Sequence, residues 1–417
     1  MVDRISIRMY RVGFGDCFLL TFWFGQTPKR VLFDCGSLSK TKAQVAKIAD
    51  DVVATCTSND RAALDLVVCT HRHKDHVSGF DNPIWRTVEV GEVWMPWTED
   101  PADPDATRIR NRQSAFAMAL SQAISPGVSA DLTPLARNSA RTIKNAQLAL
   151  ALNSLTNEQA MATLHRGFAG NPPRRFFPAR PGDNAAAPSL QTYALTSLPG
   201  VQFHILGPSR DEKVIANMDP PAGAAYIAQS NAMPAQSDAS AGCEQIWQIG
   251  EALFRQQTPG STFNDEDRIA VEKIAEDPDF SVLAAAIDNA VNNTSLMIMI
   301  EAGNQFLLFP GDAQWGTWKA AMDQVEVREL LARTTILKVS HHGSHNGTPK
   351  ELIESLIGSN VTAFVSTGTV TQWPGIPRGP LMAALNQKTK LARSDVATPP
   401  AGFTVKRDLY VEWETAT

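Results

Sequence analysis

The stretch THRHKDHVSGF, Thr70 to Phe80, puts three histidines, an aspartate and a lysine into the six positions from His71 to His76, in a chain with eight histidines among 417 residues. Just upstream, LDLVVCT (Leu64 to Thr70) is a short continuous apolar run of the kind that forms a buried strand. The histidines therefore follow directly on the end of a strand. In extended backbone, side chains alternate faces, which predicts His71, His73 and Asp75 on one side and His76 on the other as the chain curls into VSGF. A solvated charged loop accounts for one or two such residues but not for an H-x-H-x-D-H string after a buried strand. Imidazoles and a carboxylate crowded at one point are costly unless something binds them, and the usual binder is a metal ion. Two ions side by side would use all four groups.

With 43% hydrophobic residues, the chain is long enough to bury a large core. A charged fraction of 19% and a net charge of -5 exclude a globally basic nucleic-acid coat and leave room for a local basic groove. Five cysteines without a C-x-x-C pair argue against a disulfide framework and against a thiolate zinc site. The start, MVDRISIRMYRVGFGD, lacks the pattern of a secretory signal, and no apolar run reaches span length. The expected location is cytoplasmic, with no membrane contact. Nothing in the sequence names a protein partner.

Strands are predicted at RISIRMYRV, CFLLTFWF and VLFDCGS, and a helix from about Lys42 to Cys56. VEVGEVWMPW follows the histidines as another strand, so strand and helix alternate as in an α/β layered domain. The expectation is a single domain, 1–417, with two mainly helical or irregular insertions at about 99–200 and 209–279, around a core strand GVQFHILGP. Helices are expected at RQSAFAMALSQAI, NEQAMATLHRGF and CEQIWQIGEALF, and mobile segments at DNAAAP and NAMPAQSDASAG. The framework resumes with strands in NNTSLMIMIEAGNQFLLFPGDAQW, TTILKVS, VTAFVST and DLYVEWE. After KVSHHGSHNG, Thr348, Pro349 and Glu351 fit N-cap, first helical position and capping-box partner of a helix able to favour an anion.

Several segments together resemble the metallo-β-lactamase fold superfamily, and within it the metallo-β-lactamase-like domain of ComEC-type DNA-uptake proteins and their soluble relatives. VGFGDCFLL is similar to that family's V-G-Q-G-D-A, VLFDCG to its L-I-D-x-G, NNTSLMIMIE with LLFPGDA to its N-x-x-S-L and L-L-T-G-D-A, and ILKVSHHGS to its L-K-V-x-H-H-G-S. These matches cover roughly the first 100 and last 130 residues. The accompanying membrane channel is absent, so transport is not implied.

The resemblance implies a four-layer αββα sandwich with its ligands at strand ends along one edge. His71 and His73 would bind one cation, Asp75, His76 and His341 a second, and Asp312 both. The family's further histidine on the first cation has His165 and His204 as candidates. Of these, His204 lies inside a predicted strand and His165 on a helix. Asp34 would orient a ligand histidine. In extended backbone His342 faces away from His341, which suits a general acid, with His345 in reserve and the two adjacent roles open to exchange. Asp75 counts as catalytic as well as ligating. The nitrogen and oxygen donors suit two zinc ions and also permit manganese.

The expected activity is hydrolysis of a phosphodiester, as a nuclease or a small phosphodiesterase, by a hydroxide between the ions. Lys338 and Ser344 are further substrate-binding candidates. PPRRFFPARPGD offers Arg174, Arg175 and Arg180 among phenylalanines, a composition suited to phosphate contact and base stacking on nucleic acid. The alternatives are hydrolysis of carboxylic esters, lactones or amides, and a noncatalytic metal-dependent regulatory protein.

Overall fold

Strand β1 (Arg4–Tyr10) buries Ile5, Ile7 and Met9 in one cluster and turns Tyr10 into another. This period of two recurs in β10 (Met297–Ala302), where Ile298 and Ile300 share the first cluster while Met297 and Met299 face a third. Strands with two apolar faces need cover on both, and the fold supplies it with two mixed sheets and flanking helices. The computed structural model describes residues 1–111, 113, 157–180, 190–226, 291–370, 373, 375–406 and 408–417. The chain forms two units. One comprises Met1–Trp97, Asn157–Asn231 and Asn292–Thr417, and the other Thr98–Thr156 and Ala232–Val291. In the second, Asp103 Oδ1 accepts from the Asp105 and Ala106 N–H groups at 2.9 and 3.2 Å, opening a helical turn.

Both sheets belong to the first unit. The first sheet adds β2 (Phe18–Phe24), β3 (Thr27–Phe33), β4 (Thr57–Ser58), β5 (Arg61–Val68), β6 (Val88–Pro96), β7 (Arg174–Phe177), β15 (Phe403–Lys406) and β16 (Tyr410–Ala416), in the order β15-β16-β1-β2-β3-β5-β6-β7 with β4 beside β5. The second runs β14 (Thr389–Arg393), β13 (Val361–Val365), β12 (Ile336–Lys338), β11 (Gln305–Phe309), β10, β9 (Val201–Gly207), β8 (Gln191–Ala194). Ile7, Leu20, Phe33 and Val68 of one sheet and Phe203, Ile300, Phe309 and Phe364 of the other form the shared core. Burying each such side chain contributes about 1.5–3 kcal/mol.

Helix α1 (Lys42–Cys56) starts in a capping box between Thr41 and Gln44 and lays Val45, Ile48, Ala49 and Val52 inward. With α2 (Lys74–Val77) and α3 (Glu158–Arg166) it covers the outer face of the first sheet. After α4 (Glu212–Ala216), helices α5 (Trp315–Met322), α6 (Val325–Ala332) and α7 (Gly379–Lys388) lie on the second part of the chain, and the last three cover the second sheet.

Each sheet changes character once. Pairing is antiparallel from β15 to β3 and parallel from β3 through β5 and β6 to β7. It is antiparallel from β8 to β11 and parallel from β11 to β14. In α/β sheets, ligands gather outside the carboxyl ends of the parallel strands. The strands at the two switches are β3 and β5, and β11 and β12. Their carboxyl ends lead into Asp34, His71, Asp312 and His341.

Residues 157–200, expected within an insertion, supply α3, β7 and β8. The helix of NEQAMATLHRGF is present as α3. RQSAFAMALSQAI (Gln113 apart), CEQIWQIGEALF, DNAAAP and NAMPAQSDASAG lie outside the described residues. No helix among the described residues is long and apolar enough to cross a membrane.

Candidate metal centre

The first sheet delivers its part of the site through a backbone lock. Past β5 the chain stays extended to His73 and then turns into α2, which starts at Lys74. Asp16 N–H donates to Asp75 O at 2.9 Å, Gly36 N–H to Asp16 O at 2.9 Å, and Cys35 N–H to His76 O at 2.8 Å. The turns after β1 and β3 thus grip the Asp75–His76 turn. Gly36 must be glycine, because a Cβ there would lie 2.5 Å from backbone atoms of Asp75 and His76. The helical turn also corrects one expectation. His76 does not face away from the other ligands, because the backbone between Asp75 and His76 is no longer extended.

Asp75, His76, Asp312 and His342, all buried, bring one donor atom each within 4.8 Å of one another, a set that could hold a metal ion. His76 Nε2 and His342 Nε2 each lie 3.1 Å from Asp312 Oδ2, and His342 Nε2 lies 3.1 Å from Asp75 Oδ2. Asp75 Oδ1 is buried and meets no hydrogen-bond donor among the described residues. A buried carboxylate oxygen left so is costly without a cation, so the donor set fits one. Beside this group, His71 Nε2 lies 3.1 Å from His73 Nδ1, which lies 2.8 Å from Asn292 Oδ1. Asp34 lies beside His76, with Oδ2 2.8 Å from His76 Nδ1, while it accepts from the Thr70 N–H at 2.7 Å and hydroxyl at 2.6 Å.

The electrostatics follow from this packing. Burial disfavours charge on every member, yet Asp312 and Asp34 hold His76 well above its ordinary range, and Asp312 lifts His342 to about 10. Against the same burial, the hydrogen bond from His342 lowers Asp75 to about 2, and His342, His76 and Lys338 hold Asp312 well below the carboxylate range. Burial first, and then the charge on neighbouring His76, pushes His71 well down and takes His73 to about 4, and burial with the charge on His342 takes His341 to about 4. Without a cation, two imidazolium rings serve the carboxylates as counter-ions, and the other rings stay neutral.

The geometry places His342, and not His341, beside Asp75, His76 and Asp312. Neither residue is extended. Both have left-handed backbone, φ 48° and 51°, in a tight turn that aims His342 at the carboxylates. His341 instead has Nδ1 2.8 Å from Ser344 Oγ and 3.2 Å from Asn346 Oδ1, and accepts at Nε2 from Asn292 Nδ2 at 3.3 Å.

Other expected site residues lie elsewhere. His204 is in mid-strand on β9, three residues or about 10 Å before the strand's end, and its ring meets Thr192 Oγ1 at 2.9 Å and Glu301 Oε2 at 3.1 Å. His165 is on α3, stacked on Phe176. His345 is part-exposed, 3.8 Å from Asp219. Lys338 and Ser344 are each 2% exposed and engaged internally, which does not suit substrate contact. The arginine-rich segment is an edge strand in part. Arg174 donates to Leu164 O at 3.1 Å, Arg175 grips Glu92 at 2.7 and 3.1 Å, Phe177 is core, and Arg180 is exposed beyond the strand. Thr348 does not cap a helix. Its hydroxyl is buried without a hydrogen bond among the described residues, Glu351 pairs with Arg328 at 2.7 Å, and the short helical stretch 350–356 has no side-chain cap.

Two site residues escaped the sequence reading. Asp16 was quoted only within a glycine-rich turn, and Asn292 only within a matching segment. The available signals were an acidic residue closing that turn between strands, and the polar run NNTS immediately before the apolar strand β10. No protein-family model matches the chain, and no curated protein matches it.

Proposed function

We propose that the chain is a metal-dependent hydrolase of the metallo-β-lactamase fold superfamily that cleaves phosphodiesters. The observation that carries this reading is the buried set Asp75, His76, Asp312 and His342, assembled at the carboxyl ends of strands in both sheets. Those four residues would hold one divalent cation. His71, His73 and Asn292, with Asp312 shared, would hold a second. Zinc fits the nitrogen-rich donors, and the Asn292 amide oxygen also suits manganese. When bound, such ions bring the pKa of a coordinated water near neutrality and offset charge on phosphoryl oxygens.

The remaining roles belong to the chain's own residues. Asp34 fixes the ring of His76 through Nδ1, so that Nε2 faces inward. Ser366 O, 2.9 Å from His342 Nδ1, does the same for His342. His341 borders the cluster without joining it, and its Nδ1 is held by Ser344 and Asn346. Its Nε2 accepts from Asn292 Nδ2, so it steadies the amide whose oxygen meets His73.

The test is activity of metal-stripped protein reloaded with zinc or manganese, measured on bis-nitrophenyl phosphate, nucleic acid, a nitrophenyl carboxylic ester and a lactam. Turnover of phosphodiesters that disappears in Asp312→Ala is the expected result. Full metal content with turnover of the carboxylic ester or lactam alone transfers the assignment to that class.

A further inference from the structure

Lys338 closes β12 with its ammonium 2% exposed, in a place where an unmatched charge is costly. An ammonium has three N–H donors. Here they meet Gly311 O at 2.8 Å, Asp312 Oδ1 at 3.1 Å and, in close contact, Asp16 Oδ2. Every donor is used, so the residue has nothing left for a substrate.

Its effect falls on Asp312. Oδ1 receives Lys338 and also the His341 N–H at 3.2 Å, whereas Oδ2 faces the Nε2 atoms of His76 and His342. The two oxygens of one carboxylate thus have separate surroundings. A carboxylate free to rotate can offer a cation both oxygens, but one tied through Oδ1 can offer only the other.

Asp16 completes the device. It is 2% exposed, and its backbone is pinned between Asp75 and Gly36. A lone ammonium beside Asp312 would repel an incoming cation, and the Asp16 carboxylate cancels that charge. Stability alone is a poor account of the pair, because buried ion pairs are often replaced by apolar groups without loss.

We propose that Lys338, anchored by Asp16, is a positioning residue that commits Asp312 to bind a cation through Oδ2 alone. The identity of the cation rests on the metal-dependent reading above. The orientation of Asp312 does not.

Two crystallographic measurements test the proposal. In crystals of the full chain soaked in Mn²⁺, anomalous density should place the ion against Asp312 Oδ2 with Oδ1 still on Lys338. Contact of the ion with Oδ1 overturns the proposal. In the Asp16→Asn/Lys338→Met double variant, which removes the pair together and leaves no unmatched buried charge, the Asp312 carboxylate should rotate, with or without Mn²⁺. An unchanged carboxylate overturns the proposal. At equal Mn²⁺ content per chain, the double variant should also turn over bis-nitrophenyl phosphate at least about tenfold more slowly, within the typical worth of a positioned group. Crystals that take up no Mn²⁺ sink the metal-dependent reading, and the double variant's carboxylate then decides the role of Lys338.

Discussion

His342 Nε2 stands 3.1 Å from Asp312 Oδ2, and this ion pair is the contact whose place a divalent cation bound there would take. Imidazolium against carboxylate is the protonated form of a ligand pair.

Replacement of that proton should be measurable. His76 is held well above its ordinary range and His342 at about 10, so both carry protons at pH 7 in the cation-free protein. Binding needs neutral rings, so it releases about two protons, and affinity should rise up to about a hundredfold per pH unit near neutrality. Calorimetry of Mn²⁺ binding in buffers of different ionisation enthalpy counts the protons. Affinity independent of pH would contradict the assignment.

The stability of cation-free protein should peak near the ordinary histidine value of 6.5. The raised groups, His76 and His342, contribute stability that is full below pH 6.5 and is lost as pH rises, for His342 through about 10. The lowered groups, His71, His73 and His341, bind protons more readily once unfolded, so stability also falls as pH drops below 6.5, for His73 and His341 down to about 4. Melting temperatures across pH 4 to 10, expected to trace a dome, check the sign on each limb.

The adjacent histidines should separate by metal content. His342→Ala is expected to bind less metal and lose activity with it. His341→Ala should keep the ion at that site and lose affinity only for the second, because Asn292 then loses a partner of its amide. Elemental analysis of the two variants decides.

Gly36→Ala should damage the centre without touching a donor atom. The new methyl would stand 2.5 Å from the backbone of Asp75 and His76, so the turn carrying both must move. The expected cost is about 1–3 kcal/mol or more, as for other overpacked sites, together with weaker metal binding. Denaturant midpoints and metal titration measure the two effects.

Arg175→Ala should leave the salt dependence of any nucleic-acid turnover unchanged, because its guanidinium is already on Glu92. The half-exposed pair contributes at most about 1 kcal/mol to stability. A flatter salt slope in this variant would return the segment to the substrate.

The framework was legible wherever apolar periodicity was strong. The limits of α1 match those expected from its spacing, β1, β9 and β10 lie within the expected runs, and β5 overlaps its run but begins earlier, at Arg61. The H-x-H-x-D-H string announced the cluster because few other structures make such crowding tolerable. Left-handed backbone at His341 and His342 was invisible, since only the surrounding fold imposes φ near 50° on histidine, and strand alternation then aimed His341 rather than His342 at the carboxylates. His204 looked available for the opposite reason: its neutralising partners, Thr192 and Glu301, are close only once β8, β9 and β10 pair. Arg174 and Arg175 misled because composition does not reveal an edge strand whose guanidinium partners come from Leu164 and Glu92.

Asp75 and His76 follow a strand of the first sheet, and Asp312 and His342 follow strands of the second. An ion held by all four fastens the two leaves of the sandwich at their open rim, as a rivet joins plates. Removal of such an ion would open a cross-link between the sheets. Hydrogen exchange should reveal the consequence as faster opening of the residues after β5 and β11, while the shared aromatic core between the sheets keeps its protection.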